Sequence, residues 1–425
     1  MSVSAPHRPA AVADSRTTGP RTTGPRVPDE GRTGGTDRTG HARRARRTLP
    51  RLGPDDREVL WLYLLTRVGV WAVAGAVGWL FPAEGDARRP ASPLAPWQQW
   101  DWAHFMHIAR DGYFPGHAGP WTAGWDNREA FFPGFPLTLR AVHTVVPDWA
   151  AAGALISFLA GGVAVLALAR IARLRLPDQD AGRRTVLFLL LSPCAVFLAA
   201  GYTEALFLAL ALPAWLAAQR QHWPAAAVLA CLACSVRVTG LFLVAALVLH
   251  FVLTARGRAA RSSAPWLFLP ALAPALYSWY LQTRTGDWMA WKHAQERGWY
   301  RDFHTPWEAW GNTWEVAFHH TQPTGYALMW QAELLAMLVG VVLIAVLVRG
   351  RRWPEALYMA LTLGALGTSY WYTSIPRSTL LWWPLWTALA AWSLRRPRVQ
   401  SAYLYVVGPL GATVALTFLT GRWAG

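Results

Sequence analysis

The chain has 425 residues, of which 53% are hydrophobic and 15% charged, with a formal net charge of +16. A soluble domain carries about 25% charged residues, and residues 1–57 alone hold 12 Arg and 6 Asp or Glu, so the remainder is poorer in charge still. A soluble enzyme is excluded, and so is a nucleic-acid groove, because the Arg residues fall in short clusters between apolar runs, the pattern that orients membrane proteins.

Residues 1–57 are rich in Arg, Thr, Gly and Pro and poor in large apolar residues, a composition that predicts a disordered tail. Its Arg43-Arg44-Ala45-Arg46-Arg47 run is expected to keep the N-terminus in the cytoplasm. Apolar runs long enough to cross a bilayer, about 20 residues each, then follow at 59–81, 149–170, 184–200, 203–219, 223–236, 238–255, 265–282, 326–348, 355–373, 379–394 and 401–420. The run 223–236 is short for a span and reads as a tilted or broken helix. Residues 58–425 are therefore expected to form an all-α polytopic membrane domain of about 11 transmembrane helices. Long polar loops at 82–130 and 283–325 lie outside. Under this threading the Arg groups at 170–175, 256–261, 349–352 and 395–398 all fall on the cytoplasmic side.

Ionisable residues at or in a bilayer are costly and mark functional positions. The same threading brings Asp101, Glu204, Arg237 and Arg377 to the outer face from four distant parts of the chain. Each taken alone suits an interfacial anchor. Together, two carboxylates and two Arg suit an anionic, lipid-borne substrate, since the planar guanidinium can bond two phosphate oxygens at once. Asp101, His104 and Phe105 would share one face of a short helix. There Asp101 is open to two readings, an N-terminal cap or a base that takes a proton from an acceptor hydroxyl. His104 and His107 lack a clear third metal ligand. Cys231-x-x-Cys234 lies in an Ala/Leu helix and reads as small buried residues.

Three blocks carry a resemblance. The first is Trp100-Asp101, His104-Phe105, Ile108-Ala109 and Gly112-Tyr113, followed by Ala130-Phe131-Phe132-Pro133-Gly134-Phe135-Pro136-Leu137. The second runs from Ser192-Pro193 through Gly201-Tyr202-Thr203-Glu204 to Phe207, and the third is Arg237 with Gly240. They resemble PIG-V-type mannosyltransferases, which add the second mannose to glycosylphosphatidylinositol precursors, and their bacterial relatives. Beyond about 245 the likeness is looser, through Gln295, Pro306-Trp307 and Arg377. Val238-Thr239 departs from the family's more polar pair before Gly240, and the region after 283 differs.

The resemblance implies a GT-C-type fold in a plasma membrane, with an active site on the extracytoplasmic face. It implies a polyprenyl-phosphate sugar donor, with mannose as the sugar, and a lipid or glycan acceptor among membrane lipids. The acid of the first outer loop, Asp101, would be the base. Arg237 and Arg377 would hold the phosphate, Glu204 would position the sugar or an Arg side chain, and His104 and Tyr202 would contact substrate. The scheme calls for no metal, no other cofactor and no nucleic-acid partner. A lipid-linked-sugar transporter or flippase is the alternative, but it needs charges reachable from both faces, whereas these four fall on one.

Overall fold

Sixteen α-helices and no strand occur among the described residues of the computed structural model, which are 52–81, 92–115, 126–257 and 261–425. In chain order they are α1 (Pro54–Leu80), α2 (Trp102–Asp111), α3 (Gly134–His143), α4 (Trp149–Arg175), α5 (Ala181–Leu190), α6 (Thr203–Gln219), α7 (Trp223–Val236) and α8 (Gly240–Thr254). There follow α9 (Leu272–Thr285), α10 (Ala290–Trp299), α11 (Pro306–Phe318), α12 (Thr324–Arg349), α13 (Trp353–Gly367), the single turn α14 (Ile375–Ser378), α15 (Trp383–Arg395) and α16 (Pro397–Leu419). Four of these, α1, α4, α12 and α16, are long and apolar enough to cross a bilayer.

The apolar runs become helices where expected, but proline divides several of them. The expected span 184–200 stops at Leu190, and a 3-10 turn, Ala195–Leu198, follows Ser192-Pro193. Proline has no N–H to give and its ring clashes with the preceding turn. The run 265–282 divides likewise into a 3-10 segment, Ala264–Ala271, containing Pro265 and Pro270, and then α9. The run 379–394 begins as a 3-10 turn before α15. Helix α7 has 14 residues, about 21 Å of rise against a hydrocarbon core of about 30 Å, and is covered by α6, α8 and the 264–271 segment. The first helix starts at Pro54, inside the stretch 1–57 expected to be disordered; residues 1–51 of that stretch lie outside the described residues.

Helix α4 organises the bundle. Asp148 caps it by accepting from the Ala151 amide at 2.7 Å, and its Ala and Gly residues let α6 pack closely along it. At its far end Asp56 of α1 bonds Arg170 at 2.7 Å and Arg173 at 3.0 Å. Glu355 of α13 pairs with Arg175 and, at 3.4 Å, with Arg352, while Arg184 donates to the Ser393 carbonyl of α15. Basic groups from separate loops thus meet at one end of the bundle. At the other end Gly153 faces the ring of Trp102, twenty residues and about 30 Å of helix away from Arg173.

Candidate active site

At that second end a single guanidinium joins two carboxylates. Arg377, on the turn α14, donates from Nη1 to Asp101 Oδ2 at 2.7 Å and from Nε to Glu204 Oε1 at 2.7 Å. Its guanidinium carbon lies 4.8 Å from the centre of the Phe197 ring and 4.7 Å from that of Tyr202, distances at which a cation is attracted to the ring face. Only 8% of the residue is exposed. Glu204, 1% exposed, also accepts from Arg237 Nη1 at 2.8 Å, and the same nitrogen reaches Thr203 Oγ1 at 2.6 Å. The four charges that the threading assigns to one face form one chain of contacts: Asp101, Arg377, Glu204, Arg237.

Local sequence explains each position. Tyr202, at the N-cap of α6, is fully buried and donates its hydroxyl to the Gln99 carbonyl. That bond ties the residues just before α2 to the start of α6, which carries Glu204. Trp102 fits its ring into a notch between Gly153 and Gly201; a Cβ at either glycine would come within 2.6 Å of the ring. Arg237 follows the last residue of α7 in extended conformation, so its side chain leaves the helix axis toward α6. Asp101 is the N-cap residue of α2 but makes no capping hydrogen bond through its side chain. Its Oδ2 is taken by Arg377, and among the described residues Oδ1 accepts no hydrogen bond.

His104 lies one turn into α2. Its ring stacks on Phe131 at 4.9 Å and meets the edge of Trp299 at 5.8 Å. Burial pushes its pKa below the ordinary value, against the pull of Asp101, and so favours the neutral imidazole. Trp299 ends α10, in the second long loop, and that loop docks on the first. Arg297 reaches Glu129 at 2.9 Å and Asn127 at 3.1 Å, and Gln295 donates to the Ala130 carbonyl. Tyr202 has no exposed surface left for a substrate; its position under Arg377 makes it a brace, in place of the substrate contact expected of it.

Two residues that the sequence reading passed over stand beside this chain of contacts. Arg301, in the second long loop, donates from Nη2 to the Thr373 carbonyl at 3.1 Å. Its pKa is pushed down by burial, up by Glu333, down by Arg237 and up by Asp101, which places all three within its electrostatic reach. Glu333 of α12 is 0% exposed and accepts from the amides of Ser374 and Ile375, both at 2.7 Å. A lone acid in an apolar run was a usable signal for Glu333. Arg301 offered none, standing among several polar loop residues.

An apolar cavity of about 510 Å³ opens near the other end of α2, lined among others by Ile108, Leu137, Leu232, Leu276 and Tyr280. Among the described residues no three His, Cys, Asp or Glu side chains cluster closely enough to hold a metal.

With this geometry in place, residues 91–256 match the family described as Mannosyltransferase (PIG-V). Over this segment the chain is similar to the PIG-V type. The chain is 34% identical over 153 residues to GPI alpha-1,6-mannosyltransferase 2 of Rattus norvegicus, a match covering 34% of this chain and 29% of the rat protein. The Mus musculus protein of the same name is 33% identical over the same coverage. The Homo sapiens one is 35% identical over 118 residues, 25% of this chain and 22% of its own length. The PIG-V-type segment contributes Asp101, His104, Tyr202, Glu204 and Arg237, while Arg301, Glu333 and Arg377 come from the chain beyond it.

Proposed function

We propose that the protein is a membrane mannosyltransferase that moves mannose from a polyprenyl-phosphate donor to an acceptor hydroxyl at the extracytoplasmic face. The observation that carries this reading is Arg377 bridging Asp101 and Glu204, since it joins the acid of the PIG-V-type first loop to a cationic rim. In this scheme Arg377 aims Asp101 and leaves Oδ1 to the acceptor. As the acceptor oxygen attacks the anomeric carbon, its proton passes to Asp101. The bond from that carbon to the phosphate oxygen breaks, and lipid phosphate leaves with the electron pair. A β-linked donor gives an α-linked product by inversion.

The departing phosphate needs cations that are not already committed. Two of the three Arg377 nitrogens are engaged by carboxylates, against one of Arg237 and, among the described residues, none of Arg301, which favours Arg237 and Arg301 for the phosphate, with Arg377 as organiser of the acids. Glu204 acts through the two arginines it joins, and His104 offers a neutral ring to the sugar or acceptor. The apolar cavity suits the lipid tail of a substrate. A GT-C-type arrangement with about 11 membrane crossings and an outward-facing site belongs to the same proposal.

Asp101→Asn tests it. Asn fills the same space and caps a helix as well as Asp but cannot take the proton. Membranes carrying either form receive radiolabelled polyprenyl-phosphate mannose. Transfer to endogenous acceptors is expected to fall by about 10²–10⁴-fold in the variant, the usual worth of a general base. Equal transfer by both forms removes Asp101 from catalysis. Movement of intact lipid-linked sugar across the membrane, with no transfer by the wild type, would instead establish a flippase.

A further inference from the structure

Glu333 is a buried acid that the scheme above leaves unused. It sits in α12, within the apolar run Ala332–Leu347, where an ionisable side chain is costly. Something must offset that cost, and its partners are specific: each oxygen accepts one backbone amide, Oε1 that of Ser374 and Oε2 that of Ile375. Ser374 has φ of +62°, a left-handed conformation that a non-glycine residue holds only when its surroundings enforce it. The next residue opens α14, where amides have no partner within the helix. Glu333 supplies that missing acceptor and fixes the left-handed residue at once.

What the turn carries gives the contact its meaning. Arg377 lies two residues after Ile375, and its guanidinium is the link between Asp101 and Glu204. Arg301 holds the same turn from the second long loop, through the carbonyl of Thr373. The backbone 373–375 is therefore gripped by a carboxyl group on its amides and by a guanidinium on its carbonyl.

We propose that Glu333 is a positioning residue for Arg377, and through it for Asp101, by gripping the Ser374 and Ile375 amides. The inference rests on the mannosyltransferase reading for its kinetic consequence, but its structural consequence can be read without activity. Loss of the grip lets the turn relax and moves the guanidinium. An active-site displacement of about 1 Å can cost on the order of 100-fold in turnover.

The test compares wild type, Glu333→Gln and Glu333→Asp, each purified in lipid nanodiscs. Amide hydrogen exchange over 373–378 and mannose transfer per folded molecule are both measured. Gln keeps the shape but presents an amide group to one of the two backbone N–H groups. Expected for Glu333→Gln are fast exchange at Ser374 and Ile375 and a kcat lower by on the order of 10–100-fold. Donor KM should change less than about twofold, because no substrate contact is removed. Asp keeps both acceptor oxygens on a shorter arm and should recover part of the kcat. Glu333→Gln in an Asp101→Asn background should add little further loss, since both act on one step. Unchanged exchange at 374–375 would overturn the grip. Fast exchange with unchanged kcat would overturn the positioning role. Fast exchange in the variant, with no transfer even by wild type, would uphold the grip and count against the mannosyltransferase reading alone.

Discussion

Arg377 does what no lysine can do in its place. A guanidinium presents donors in a fixed plane, so one nitrogen serves Glu204 and another serves Asp101 while the flat faces rest against Phe197 and Tyr202. An ammonium on a flexible stem can bond both carboxylates only by giving up the aromatic contacts. Removing one partner of a buried ion pair typically costs about 3–5 kcal/mol. Arg377→Lys is accordingly expected to lower mannose transfer by about 100-fold or more and to lower the thermal midpoint, measured together on purified protein. Arg237 and Arg301 should behave differently. Both are half-buried residues, so Arg301→Lys should leave the thermal midpoint within about 2 °C while raising donor KM several-fold. An unchanged KM would take Arg301 out of phosphate binding and leave it as a contact to Thr373.

At the scale of helices, the position of Asp101 depends on a notch. Helix α2 has ten residues, too short to be stable alone, and it is held by the Trp102 ring lying between Gly153 of α4 and Gly201 ahead of α6. Gly201→Ala puts a methyl group where the ring is, an overpacking that costs about 1–3 kcal/mol. The variant should lose stability and transfer activity together. Trp102→Phe added to Gly201→Ala removes the outer part of the ring and should restore both in part. Failure of the second substitution to restore either would show that Gly201 serves the backbone rather than the ring. The two long loops act as one element here, because Arg297 and Gln295 of the second bond residues 127–130 of the first. The aromatic group His104, Phe131 and Trp299 therefore draws on both loops.

For the whole molecule, the decisive feature is the separation of charge along the bundle. Arg170, Arg173, Arg175 and Arg352 meet Asp56 and Glu355 at one end, and Asp101, Glu204, Arg237 and Arg377 meet at the other. Such asymmetry orients a protein with its basic end toward the cytoplasm. In a Cys231→Ser background, Asp178→Cys should react with a membrane-impermeant maleimide only in inside-out vesicles, and His319→Cys only in intact cells. Reaction of both from the same side would undo the threading and, with it, the extracytoplasmic site. The remaining cysteines, Cys194 and Cys234, are buried and should contribute no background.

The sequence by itself determined the apolar runs, the Arg clusters between them and a PIG-V-like segment, because hydropathy and motif spacing are local properties of the chain. It also raised the expectation that Asp101, Glu204, Arg237 and Arg377 share one face, since helix parity carries residues to a side. Only the tertiary structure decided how they join. A side is not a contact, and which oxygen meets which nitrogen depends on the Trp102 notch, the Tyr202 brace and the turn at Ser374. The runs 184–200 and 265–282 looked continuous because hydropathy does not register a broken backbone, whereas Pro193, Pro265 and Pro270 interrupt them. Glu333 and Arg301 gained their roles only in three dimensions, through main-chain atoms of residues 373–375 that are 41 or 42 positions from Glu333 and 72 from Arg301. A bond to backbone leaves no trace in the identity of the residue that receives it.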